Sequence, residues 1–459
     1  MPQWVGLLAV LAPLLASAQV PSIAAQRAKL PNGLDLVVVE DHRLPVASVQ
    51  LWVKAGSARA SAAQPELAAL AGRLLWAGSG GRSGARSLPP AVAVGGESNC
   101  WTTADVTVFA DEVMAPALEV ALRAQGERVR ARGLDDRMSA QARLDVERLR
   151  SVGRGQEPWS AARESLFALS FQSHPYRWPT LGWANAEVGA QLEDVRAFIR
   201  RHYLPNNATL VVVGDVTLAA VKGLAARHLG AWKRGPLSDA APAPEPAQQG
   251  PRRTVLRAAA AGSALLCGVR APAYADADRP PLQILTRILA QNRDSRLHRA
   301  LVDERTLAYL VQGELVPLAQ PGLLYIGVAV RPGQSAAAAE KVLLAEMDRL
   351  CVSPVTAAEL DRARRQLEAE YVFSLESVGS LASRLGEATV LGGDPELVNR
   401  EPMALRAVDA AAVQRVAQRY LVEDRRALVQ LLPTAPSSAP TALRPVPAER
   451  WLREEFGDE

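Results

Sequence analysis

The segment Val195-x-x-Phe198-x-x-x-His202-Tyr203, followed by an apolar run at 208–213, returns 218 residues later. There Val413-x-x-Val416-x-x-x-Tyr420-Leu421 is followed by Arg426-Ala-Leu-Val-Gln-Leu431. Each copy reads as an amphipathic helix, a short turn and an apolar strand. Between the copies, residues 236–250 run Pro-Leu-Ser-Asp-Ala-Ala-Pro-Ala-Pro-Glu-Pro-Ala-Gln-Gln-Gly, the composition of a linker. At 459 residues the chain is also too long for one ordinary core. The expected organisation is a domain over 19–235, the linker at 236–250, a second domain of similar design over 251–433, and a Pro/Ala/Ser-rich, then charged, tail over 434–459.

Apolar residues make up 49% and aromatics 5%, as in a globular α/β protein rather than a disordered chain. The 52 basic and 48 acidic residues nearly cancel, and the arginines are scattered rather than blocked. The densest basic stretch, 123–137, has Glu127, Asp135 and Asp136 among its arginines and reads as a solvated helix face, so no nucleic-acid partner is expected. Residues 1–18 form a short, proline-broken apolar core ending in Ala16-Ser17-Ala18. That is a signal-peptide pattern, too short to span a bilayer, and it implies export to a periplasm or beyond with no transmembrane segment. Cys100, Cys267 and Cys351 form no C-x-x-C pair, which excludes a zinc ribbon or thioredoxin-like site and leaves buried thiols as the expectation.

Strands are expected at 34–40, 46–53, 105–110 and 208–214, a helix near 65–76, and helical structure from 114 to about 171. The Gly/Ser loop at 78–84 has neither Gly-Lys-Ser/Thr nor G-x-S-x-G. The five histidines, at 42, 174, 202, 228 and 298, include no pair four residues apart, so the chain contains no H-x-x-E-H.

Several motifs in order resemble the insulinase/pitrilysin metallopeptidase family, in particular its short bacterial and mitochondrial-processing-type members. In the first half they are Leu30-Pro-Asn-Gly33-Leu, Asn99-Cys-Trp-Thr102-x-x-Asp105-x-Thr107, His174-Pro-Tyr176 and Tyr203 through Asp215. In the second half they are Ser295-Arg-Leu297, Leu307-Ala-Tyr309 and Val355-Thr-x-x-Glu359-Leu. The resemblance implies an α+β fold of two homologous domains, each a mainly antiparallel sheet covered by helices. It also implies a peptide-enclosing chamber made when two such bowls close. In active members a helix carries H-x-x-E-H, its two histidines binding zinc with a distal Glu while the middle Glu activates water.

On this resemblance the zinc-binding helix is Ala69-Leu-Ala-Gly72-Arg73-Leu-Leu-Trp76, so Ala69 and Arg73 replace the histidines and Gly72 the catalytic Glu. Ala and Gly offer no donor atom, and a guanidinium stays cationic and cannot ligate a metal. Leu67, Leu70, Ala71, Leu74 and Leu75 form a core-facing stripe, with 69, 72 and 73 on the other face. Gly72 costs about 1 kcal/mol relative to Ala inside a helix, so it does not read as a choice for stability. Glu147 falls near the third ligand's spacing, either as a remnant paired with Arg73 or as an ordinary exposed helix residue.

The resemblance further implies that the strand Asn99-Cys100-Trp101-Thr102 pairs with peptide backbone, the alternative being a purely structural sheet edge. Trp101 is expected to narrow that cleft. Tyr309 either donates to a bound peptide or only packs, and Val302 stands where active members carry an Arg. The expectation is a catalytically silent protein without zinc, the non-catalytic partner of an H-x-x-E-H-containing relative or of itself. It would bind peptide or unfolded polypeptide. A stand-alone scaffold or a peptidase with a non-standard site are the alternatives.

Overall fold

The computed structural model describes residues 22–78, 88–130, 133–156, 159–183, 189–237, 244–258, 260 and 262–434. The segment expected to be a signal sequence, the Gly/Ser loop beyond Gly78, the middle of the linker and the tail after residue 434 lie outside the described residues. Among the described residues no helix is long and apolar enough to cross a membrane.

The first half builds a six-stranded sheet from β1 (Gln26–Lys29), β2 (Asp35–Glu40), β3 (Val46–Val53), β4 (Glu97–Thr102), β5 (Thr107–Met114) and β6 (Ala208–Gly214), in the order β1-β2-β6-β3-β5-β4. The second half builds β7 (Arg252–Ala258), β8 (Ala264–Ala271), β9 (Ala308–Leu315), β10 (Gly322–Val330) and β11 (Arg426–Pro433), in the order β7-β11-β8-β10-β9. Removing β1 makes the two orders the same. In each sheet one pair is parallel, β2 with β6 and β7 with β11, and every other pair is antiparallel. The repeated helix–turn–strand segment supplies the strand that lies between β2 and β3 in one sheet and between β7 and β8 in the other. The chain thus forms two α+β domains of the same topology.

Helices follow the strands in both halves. The first half carries α1 (Leu67–Ala77), α2 (Pro90–Ala93), α3 (Leu118–Arg130), α4 (Asp136–Gln156), α5 (Ser160–Ser170), α6 (Leu192–His202) and α7 (Leu218–Leu229). The second carries α8 (Arg279–Ala290), α9 (Arg296–His298), α10 (Ala336–Val352), α11 (Ala357–Phe373), α12 (Val378–Val390), α13 (Leu397–Ala407) and α14 (Ala410–Tyr420). One face of each sheet is covered by helices of its own half, giving one core around Leu36, Leu51, Leu70, Val146 and Val195 and another around Leu265, Leu285, Ile326, Leu343 and Val416.

The opposite faces are covered by exchange. Helix α12, from the second half, lays Val378, Leu381, Ala382 and Leu385 against Val37, Trp52, Val108, Val211 and Val213 of the first sheet. Trp159 and helix α5, from the first half, place Ala162 and Leu166 against Ala264, Leu266, Tyr325 and Val429 of the second. With both faces covered, β6 and β10 are buried at every residue, which is why they read as unbroken apolar runs instead of alternating patterns. Each buried Val or Leu side chain at these seams contributes about 1.5–3 kcal/mol. A polar tie joins the halves as well. Tyr176 Oη donates to Asp105 Oδ1 at 2.7 Å and accepts from Gln320 N at 3.1 Å, while Ala319 N donates to Asp105 Oδ2 at 2.9 Å.

Both seams close on a tryptophan against a glycine. A Cβ added at Gly386 of α12 would lie 2.0 Å from Cε2 of Trp52, and one added at Gly327 of β10 would lie 2.6 Å from Cε2 of Trp159. Helix propensity alone favours Ala over Gly at position 386 by about 1 kcal/mol. The structure makes the opposite prediction, because neither ring has anywhere to retreat. Gly386→Ala and Gly327→Ala should each destabilise the protein by about 1–3 kcal/mol in urea unfolding, and equal or greater stability in either variant would contradict the seam as described.

Candidate functional site

Helix α1 crosses directly over β4 and β5, and its residues explain how closely. A Cβ at Gly72 would meet Thr107 Cγ2 at 2.9 Å, Thr102 Oγ1 at 3.1 Å and Cys100 Sγ at 3.4 Å. Gly72 therefore has a structural use that helix propensity hides, since a side chain there would push the helix off the strands. Ala69 is 3% exposed and belongs to the first core. This corrects the expectation that 69, 72 and 73 form a face apart from the packing stripe. Only Arg73 of the three is partly exposed, because small residues let α1 sink until both of its sides are buried.

Arg73 does not pair with Glu147. Its Nη2 donates to the main-chain oxygen of Cys100 at 2.9 Å, and its guanidinium carbon lies 5.7 Å from the centroid of Trp76. Glu147 is exposed on α4, a helix whose buried side toward the first core carries Ala142 and Val146. Among the described residues no three His, Cys, Asp or Glu side chains are grouped to hold a metal ion. The donor chemistry at 69, 72 and 73 does not fit zinc, so no catalytic step is derived through a metal here.

Strand β4 is the edge of the first sheet. Thr103 N donates to Val106 O at 2.8 Å across the hairpin, and ladder alternation then turns the N–H and C=O of Cys100, opposite Phe109, away from β5. An added strand would pair with those two groups. Both are already engaged: the N–H donates to Asn99 Oδ1 at 2.8 Å, and the oxygen accepts from Arg73. The edge is thus capped at Cys100 by two side chains of the same chain, a known way of blunting strand addition.

The remaining candidates divide among three places. Thr102 Oγ1 lies 3.1 Å from Thr107 Oγ1, beneath Gly72. Trp101 stands edge-on to Trp52, with ring centroids 6.0 Å apart, on the face toward α12. Tyr309 is on β9, the edge of the other sheet, and is 43% exposed. Val302 packs against the second core. The structure thus brings together Gly72, Arg73, Asn99, Cys100 and Thr102, and places Tyr309 on a separate edge. The Cys100 thiol is pushed up to about 12 by burial, opposed by Arg73 and Arg128, which leaves it protonated and unreactive at neutral pH. Cys100 and Cys267 are buried and Cys351 is half-buried, all as free thiols.

A buried ion pair under this edge was not read from the sequence. Arg128 Nη1 donates to Asp111 Oδ2 at 2.6 Å, with both side chains fully buried. Arg128 Nη2 reaches Asp111 Oδ1 at 2.9 Å and Ser98 Oγ at 3.1 Å, and Gln125 Nε2 donates to Asp111 Oδ2 at 3.0 Å. Trp76 Nε1 also donates to Ser98 Oγ, at 3.0 Å, which links the helix to the pair. The stretch 123–137 is therefore not wholly a solvated face. The usable signal was Asp111 on the buried side of β5, a charge that demands a partner.

Comparison with known proteins matches this architecture. Residues 36–182 match the insulinase (peptidase family M16) domain, and residues 189–367 match the domain described as "Peptidase M16 inactive domain". A zinc protease of Helicobacter pylori, PqqE, is 25% identical over 412 residues, covering 88% of this chain and 92% of that protein. The mitochondrial-processing peptidase subunit beta of Lentinula edodes is 22% identical, covering 85% of this chain and 86% of its own length. The crystal structure of a protease from Helicobacter pylori superposes with a TM-score of 0.83 at 23% identity, covering 90% of this chain and all of that one. With both halves matched in order and the fold shared along nearly its whole length, this chain belongs to the M16 insulinase family of peptidases.

Proposed function

We propose that this protein is a catalytically silent M16 member, the non-zinc partner of an H-x-x-E-H-containing relative or of a second copy of itself. It is exported by its N-terminal signal and binds peptide or unfolded polypeptide in the chamber the pair encloses. The observation that carries the reading is the state of α1 at residues 69, 72 and 73. Two of them have no donor atom and are buried, and the third is a cation bonded to the Cys100 oxygen. Nor is there room at 72 for a carboxylate, given the close contact with Thr102 and Thr107. Pairing as a role is consistent with the relative named as subunit beta of a processing peptidase.

A stand-alone binding or scaffold role is the second reading, and the capped Cys100 edge favours it to the extent that peptide capture needs that edge. The two separate by recovery: the paired reading expects co-purification of a metal-site-bearing M16 relative from the native source, or a homodimer in solution. Recovery of a monomer without such a relative supports the scaffold.

Two outcomes test the proposal chemically. The purified chain should hold far less than one zinc per molecule after dialysis and should leave a quenched peptide uncut, with or without added zinc. Stoichiometric zinc together with chelator-sensitive hydrolysis would overturn catalytic silence. If extended peptides do add to β4, they must displace Arg73 from the Cys100 oxygen. Arg73→Ala should then tighten binding of an unfolded polypeptide probe on the order of tenfold, the worth of one hydrogen bond from a charged donor, and unchanged affinity would remove β4 as the binding edge.

A further inference from the structure

Away from α1 and β4, the helical layer of the second domain forms an open, solvent-facing groove of about 500 Å³ whose wall carries Arg296, Arg299, Arg305, Arg349 and Arg362. It lies between α9 with the π-helical turn Arg299–Glu304, the C-terminal part of α10, and the first turns of α11. Three glutamates share the wall, and each is already engaged. Glu359 accepts both Nε and Nη2 of Arg296, at 2.8 and 2.9 Å, and its Oε2 also accepts Thr356 N at 2.9 Å. These bonds hold its carboxyl down at about 2. Glu346 is taken by Arg349 at 2.8 Å, and Glu304 by Arg305 at 3.2 Å.

Five guanidinium groups against three carboxylates leave two positive charges on the wall. Arg299 approaches Glu359 no closer than 3.9 Å, and Arg362 enters no ion pair among the described residues. The paired carboxylates set the positions of their arginines, while Arg299 and Arg362 retain donors for something else. Planar guanidinium forks fit the oxygens of a phosphate group, and the volume falls within the range of small-molecule sites.

The geometry points to a binding site for a small phosphorylated anion, held by Arg299 and Arg362 with Arg305 and Arg349 on the same wall. The site is independent of helix α1 and of the reading proposed for it. The probe is inorganic pyrophosphate, titrated calorimetrically into the full-length chain in 0.15 M salt, a physiological ionic strength that screens loose surface binding. One saturable site per chain is expected. Arg299→Ala/Arg362→Ala should weaken it at least tenfold without moving the thermal midpoint of the ligand-free protein, and Arg362→Lys should weaken it less. The control pair Arg200→Ala/Arg227→Ala, at exposed positions of α6 and α7, should leave binding unchanged. Absence of saturation, insensitivity to the Arg299/Arg362 change, or equal weakening in the control pair would each overturn the assignment. Should the double variant prove unstable, Arg362→Gln alone carries the same test.

Discussion

Each sheet in this protein owes its second covered face to a helix made by the other half of the chain. Without α12, the wall of Val37, Val108, Val211 and Val213 would stand in water, and without α5 so would Leu266, Tyr325 and Val429. The price at each seam is tight fit, with a tryptophan ring seated where a glycine leaves no Cβ. The Asp105–Tyr176 tie adds direction to an otherwise apolar union, because its donors and acceptors meet in only one relative placement of the halves.

The same close packing governs the site. Helix α1 lies low on β4 and β5 because Ala69 and Gly72 are small, and its nearness brings Arg73 within reach of the strand's edge. Beneath it, Arg128 and Asp111 bond one another in a fully buried pair, so that Ser98 and Trp76 are held by hydrogen bonds rather than by shape alone. The small residues of α1 and the capping of the edge are thus one local arrangement, in which the space beside Gly72 and the main-chain groups of Cys100 are taken up by the protein itself.

Much of the fold was legible because it is written in local pattern. The apolar runs that became β3 and β6 admit few other readings, and the recurring helix–turn–strand segment anticipated two sheets of one topology. Leu30-Pro-Asn-Gly33 was readable only as a resemblance; its use in the fold, with Gly33 at φ +93° and Asn32 Nδ2 donating to the main-chain oxygens of Leu229 and Trp232, was not. What escaped depended on partners distant in sequence. Nothing in the pattern of α5 says which sheet it will cover. Arg128 sits among charged neighbours that suggest water, and its burial follows only once Asp111 is known to face it. The stripe on α1 was read correctly as apolar, but a helical wheel cannot show that a strand pair will press against its other side.

The helix exchange also sets an order of events during synthesis. The outer face of the first sheet cannot close until residues 378–390 have left the ribosome, long after its own strands are complete at residue 214. Contacts so far apart in sequence are slow to form, and until they do a broad valine surface has no lining. The halves are therefore cofolding units, each finishing the other, and a chain severed at the linker would yield two incomplete pieces rather than two autonomous domains.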